Sequence, residues 1–123
     1  MSGSIVWLAS YPKSGSAWMR VLIANLITAS KYDINRLHLI WWAAHSRRNF
    51  ECVSLIDSSL LLQDEIDELR PKVTEAMVQE ETGNVYFWVH DAYRTLANGQ
   101  PLLGKAPTRI AFYVLRDPRD VAV

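Results

Sequence analysis

Ile5-Val6-Trp7-Leu8-Ala9-Ser10-Tyr11-Pro12-Lys13-Ser14-Gly15-Ser16-Ala17-Trp18 changes character twice within fourteen residues. It opens on a short apolar run, passes through small and polar residues, and leads into a long apolar helical pattern that reaches Ala29. A short apolar run followed by turn residues predicts a strand buried on both faces, here over residues 4–10. The pattern after it predicts a helix from about Ser16 to Ser30, broken only by Arg20, Asn25 and Thr28. Strand, tight loop, helix is therefore the unit that decides the fold. A helix opened by small residues offers several N–H groups with no intrahelical partner, backed by the positive end of the helix dipole. Lys13 adds a full charge, Gly15 carries no Cβ to hold a ligand away, and Ser14 and Ser16 add hydroxyl donors. Those residues fit a phosphate or sulfate cradle. An ordinary β–α turn with a helix-capping serine is the less favoured alternative.

Working outward, 123 residues imply one domain, and a hydrophobic half is enough for a packed core. The formal charge of zero argues against nucleic acid and against a polybasic membrane patch, so any anion site must be local. The one cysteine, Cys52, excludes an internal disulfide and fits a reducing compartment. The first apolar run is too short for a signal peptide or a membrane span, so a cytoplasmic chain is expected.

Beyond the first helix, Leu37, Leu39, Ile40, Trp41 and Trp42 form an apolar cluster that serves either as core or as the wall of a pocket. The flanking His38 and His45 lack the carboxylate or thiol pattern of a metal site. Residues 63–70 predict a short acidic helix, with Ile66 and Leu69 inward and the charges on a solvated face. Pro71 suits the first turn of a separate second helix, whose inward stripe is Val73, Ala76 and Met77 and whose end is Thr82-Gly83-Asn84. Val85–Val89 predicts a second strand that delivers His90 and Asp91 at its end. Ile110–Leu115 predicts a third, ending at Arg116. Asp117 and Pro118 then form the start of another helix.

Strands separated by helical segments imply a parallel α/β sheet with flanking helices: a P-loop-like three-layer arrangement, incomplete, with about three strands. Ligands bind such sheets beyond the carboxyl ends of the strands, where the 11–17 loop, His90 and Arg116 all fall. A P-loop kinase-like phosphotransferase is one alternative, but Lys13 precedes its Ser-Gly instead of following a glycine, which is not the Walker A order.

Taken together, these residues resemble the nucleotide-dependent sulfotransferase family. Tyr11-Pro12-Lys13-Ser14-Gly15-Ser16-Ala17-Trp18 looks like its 5′-phosphosulfate loop, and Val114–Val123, with Arg116-Asp117-Pro118-Arg119-Asp120 at its centre, looks like its 3′-phosphate motif. Val89-His90 matches the strand end that carries the family's catalytic base. The resemblance implies that residues 1–123 are the N-terminal part of a single sulfotransferase-like domain. It implies sulfuryl transfer from 3′-phosphoadenosine 5′-phosphosulfate (PAPS) to a small-molecule hydroxyl or amine, without a metal. By the same resemblance Lys13 and the loop from Ser14 to Ala17 hold the phosphosulfate, Trp18 stacks on adenine, Arg116 pairs with the 3′-phosphate, and His90 takes the acceptor's proton.

Three departures accompany the match. Trp88 stands where the family commonly has a lysine two residues before the histidine, and losing such a charge typically costs ~10²–10³ in rate. Ala17 stands where a hydroxyl residue is usual, and the family's 3′-phosphate serine would fall one place after Val123. A non-catalytic remnant that binds a partner is thus the other reading. A sheet of about three strands with open edges further predicts self-association.

Overall fold

The computed structural model describes residues 3–105 and 107–122, and the side chains of these residues except that of Leu39. Val123, the last residue of the 3′-phosphate-like motif, lies outside the described residues.

β1 (Ser4–Ser10) is apolar on both faces, buried along most of its length, and lies inside the sheet with both edges paired. It pairs in parallel with β3 (Asn84–Val89) on one side and β4 (Thr108–Val114) on the other. A further strand, β2 (Trp41–Ala43), pairs in parallel with β3, so the order is β2-β3-β1-β4. The protein is therefore α/β, with a four-stranded parallel sheet flanked by helices, compatible with a P-loop-like fold.

The fourth strand exceeds the expected three. It arises from the tryptophan cluster, which is too short at three residues to show a strand period. Burial holds it: Trp41 is 3% exposed, meets Tyr86 edge-on at 5.3 Å, and donates its indole N–H to the Arg20 carbonyl at 3.2 Å. Trp41 is thus core, whereas Trp42 is exposed.

Alternation along β3 divides the layers. Val85, Phe87 and Val89 join Ile5, Trp7 and Val78 in the main core, beneath α3 (Gln63–Gln79). Tyr86 and Trp88 point the other way, towards α1 (Ser16–Thr28) and Trp41. Between β2 and α3 lies α2 (Arg47–Ser54), capped by the Ser46 side chain, which accepts from the Asn49 N–H at 3.3 Å. The last helix is α4 (Pro118–Val121), whose cap Asp117 accepts from the Arg119 N–H at 2.9 Å, as its sequence predicts.

Three expectations about helices need correction. Pro71 does not start a new helix; it lies inside α3, which runs unbroken. An interior proline forfeits a hydrogen bond to the carbonyl four residues back, here that of Asp67. Packing offsets that loss: Pro71 is buried, and the 101–105 turn lies against it, so that a Cβ on Gly104 would meet Pro71 at 3.4 Å, in van der Waals contact. Lys105 adds a backbone N–H to the Glu75 carboxylate at 3.1 Å. The buried stripe of α3 is consequently Pro71, Thr74 and Val78, while Val73, Ala76 and Met77 flank it half-buried. Nor is the acidic run wholly solvated, since Asp67 is buried among arginines.

The third correction concerns α1. Its apolar circumference predicts burial on several sides, yet Ala24 alone in it is fully buried. It rests on β1 and on the short helical turn Ile34–Leu39 along one stripe, leaving Leu22, Leu26 and Ile27 exposed. The outer side of the sheet repeats this, with Ile110, Phe112 and Tyr113 of β4 exposed. No helix among the described residues is long and apolar enough to cross a membrane.

Candidate functional site

Because the strands are parallel, β1, β3 and β4 deliver their following residues to one edge of the sheet. His90 follows β3 directly, and its Nδ1 lies 2.7 Å from the Ser10 carbonyl and 3.3 Å from the Ser10 hydroxyl at the end of β1. A carbonyl only accepts, so Nδ1 carries a proton and donates; in the neutral ring Nε2 is then the acceptor. Arg116, two residues past β4, donates from Nη1 to the Lys13 carbonyl at 3.3 Å. The end of β1 is thereby tied to the end of β3, and the 11–15 loop to the residues after β4.

The loop turns through two left-handed residues, Lys13 (φ 66°) and Gly15 (φ 105°). A tight turn places the Ser14 N–H 3.2 Å from the Tyr11 carbonyl and leaves Ser14 buried. Gly15 caps α1, and no side chain bonds the helix start, so a serine-capped turn is not what forms here. The helix's own bonding begins with Met19 N–H to Gly15 carbonyl at 3.1 Å. The N–H groups of Ser16, Ala17 and Trp18 belong to the first turn and have no acceptor inside the helix. Lys13 and Trp18 are exposed beside them.

Lys13 and Arg116 also wall an open cleft of about 630 Å³ with Asp120 and Val121. The two cations fit an anion there, and the Asp120 carboxylate opposes one on its own side of the cleft. Arg119 pairs with Asp117 at 2.7 Å, so Arg116 is not consumed by that neighbour.

Trp88 lies beside this edge, among charged and aromatic groups. The Arg20 guanidinium sits 4.5 Å from its ring centroid, His45 meets it edge-on at 4.7 Å, and His90 does so at 5.1 Å. Burial holds the His45 pKa below its ordinary value, helped by His90 and Arg70 and opposed by Asp91. Asp91 accepts two bonds from Arg70, at 3.1 and 2.7 Å, which keeps its carboxyl below the usual range. Arg70 also reaches the Ala44 carbonyl at 3.3 Å. A second cavity of about 210 Å³ opens here, bounded by His45, Ser46, Phe50, Gln63, Arg70 and Asp91.

Sequence reasoning placed the loop, His90 and Arg116 at strand ends, but it missed Arg20, His45 and the Arg70–Asp91 pair as their neighbours. One signal for Arg20 was present: it is the sole charged residue in α1. A lone charge in an otherwise apolar helix needs a reason. His45 and Arg70 carried no such mark, because folding alone brings them near His90.

No family model matches the chain, and no solved structure matches it. Among curated proteins, it is 26% identical over 117 residues to cytosolic sulfotransferase 17 of Arabidopsis thaliana, covering 95% of this chain and 28% of that protein. It is 36% identical over 55 residues to flavonol 3-sulfotransferase of Flaveria bidentis, covering 45% of this chain and 16% of that protein. The chain thus spans less than a third of the length of these relatives and is similar, at a distance, to plant sulfotransferases.

Proposed function

We propose that residues 1–123 form the N-terminal part of a sulfotransferase-like domain that binds PAPS and serves sulfuryl transfer to a hydroxyl or amine acceptor. The observation that carries this is the meeting of three strand ends: a helix start with no side-chain cap beside Lys13, His90 held through Nδ1 at the Ser10 carbonyl, and Arg116 bonded to the Lys13 carbonyl. Distant similarity to two sulfotransferases supports the same class. Lys13 and the N–H groups from Ser16 to Trp18 would hold the 5′-phosphosulfate and the charge left on its phosphate oxygen as the bond to sulfur breaks. His90 Nε2 would take the acceptor's proton as the acceptor oxygen or nitrogen bonds to sulfur. Arg116 would face the 3′-phosphate with a planar fork suited to it. Trp18, exposed at the helix start, would stack on adenine. The chemistry asks for no metal. The name of cytosolic sulfotransferase 17 places that protein in the cytosol, and the same setting is proposed for this chain.

Calorimetric titration of the folded chain with 3′-phosphoadenosine 5′-phosphate (PAP) tests the proposal. Saturable binding is expected, and a folded sample that takes up no heat with this ligand overturns it.

A specific observation favours a second activity as an interaction module: the uncovered apolar side chains of α1 and of the edge strand β4. Apolar surface beside an open strand edge favours association. Sedimentation should accordingly find dimers or larger species at micromolar concentration, and a monodisperse monomer would count against this.

A further inference from the structure

We infer that Arg20 is a further cation of the anion site, held over Trp88 so that its guanidinium contacts the 5′-phosphate end of the ligand beside Lys13. This rests on the proposed nucleotide site and adds a residue to it.

Four observations converge on Arg20. It is the only charged side chain of α1, and it stands four residues after Ser16, hence on the same helix face as one of the unpaired N–H groups. Cβ atoms on a helix tilt towards its N-terminus, and in α1 that is the end the 11–15 loop opens. Its guanidinium is fixed 4.5 Å from the centroid of Trp88, which in turn lies 5.1 Å from His90. Its Nε is buried and has no hydrogen-bond partner among the described residues.

A structural arginine in this place should be paired. Arg70, also half-buried, has Asp91 and Asp67 for partners. Arg20 has no salt bridge among the described residues, only an aromatic face. Cation–π contact orients a guanidinium without neutralising it, so Trp88 acts as a platform that keeps the charge available. Trp88 carries no charge of its own on this strand, and Arg20 brings one to it from the helix above.

The test compares PAP with adenosine 3′-monophosphate, which lacks the 5′-phosphate, on the full chain and its variants. Arg20→Gln should weaken PAP about tenfold and leave adenosine 3′-monophosphate unchanged. Arg20→Lys should keep most of the PAP affinity, and Trp88→Lys should restore it in the Arg20→Gln background by placing a cation on the strand instead. Equal weakening of both ligands by Arg20→Gln and Arg20→Lys would show a packing role only and overturn the inference. So would PAP affinity unchanged by Arg20→Gln where Lys13→Ala lowers it at least tenfold; the nucleotide site would then stand without Arg20. No PAP binding by the unaltered chain overturns both.

Discussion

Lys13→Gly is expected to cost PAP affinity about 10- to 100-fold while leaving the fold no less stable than Lys13→Ala leaves it. The two effects separate because Lys13 serves the loop in two opposed ways. Its side chain is exposed, so the core does not need it. Its backbone sits at φ 66°, where a Cβ is disfavoured and glycine is not. Evolution commonly tolerates such a residue where a side chain has a task that glycine cannot perform. Charge-assisted contacts to phosphate are worth about 1.5–3 kcal/mol, which converts to roughly the stated loss. Lys13→Ala removes the same charge but keeps the Cβ, so it should melt below Lys13→Gly, by up to ~1 kcal/mol once the looser unfolded chain of the glycine variant is allowed for. Titration with PAP beside urea melts of both variants checks the pair. Wild-type affinity in both would remove the 11–17 loop from the nucleotide site. A large loss of stability in Lys13→Gly would show instead that the lysine side chain holds the loop together.

What could be read without coordinates was local. The strand–loop–helix at 4–28 follows from an apolar run, turn residues and an apolar helix in sequence, and Asp117-Pro118 announces its helix through side chains one or two residues apart. The parallel sheet follows from the spacing of those units, and with it the placing of His90 and Arg116 at one edge. What escaped was whatever depends on distant partners. Pro71 has every local mark of a helix start, but the 101–105 turn, some thirty residues on, packs against it and keeps α3 continuous. β2 is three residues long and exists because β3 offers it a free edge and Trp41 a buried slot. Arg20 read as a break in an apolar pattern, since the ring it stacks on lies 68 positions away, at Trp88.

Asp67→Ala should destabilise the protein by about 3 kcal/mol, enough to lower its melting temperature by roughly 10 °C. A carboxylate on a solvated helix face would cost no more than about 0.5 kcal/mol to remove. Asp67 is instead buried, with its side chain 5% exposed, and accepts from Gln63 at 3.0 Å, from Arg70 at 3.5 Å and from Arg94. Removing it leaves Arg70, whose side chain is 11% exposed, with Asp91 as its one remaining carboxylate among the described residues. The cost stays at the low end of the range for broken buried pairs, because Arg94 is half-exposed and can turn to water. For the same reason Arg94→Ala should cost less than Asp67→Ala. Asp67→Asn should fall between them, since an amide keeps the shape and one acceptor oxygen but not the charge. Glu68→Ala, one position along on the exposed side of α3, is the control and should stay within about 0.5 kcal/mol of the parent. Urea melts of the four variants order the costs directly. An Asp67→Ala variant as stable as Glu68→Ala would mean that the arginines hold their places without it. The order expected here makes Asp67 the tie between α3 and Arg94 in the loop after β3, and a second carboxylate for Arg70, which itself holds Asp91.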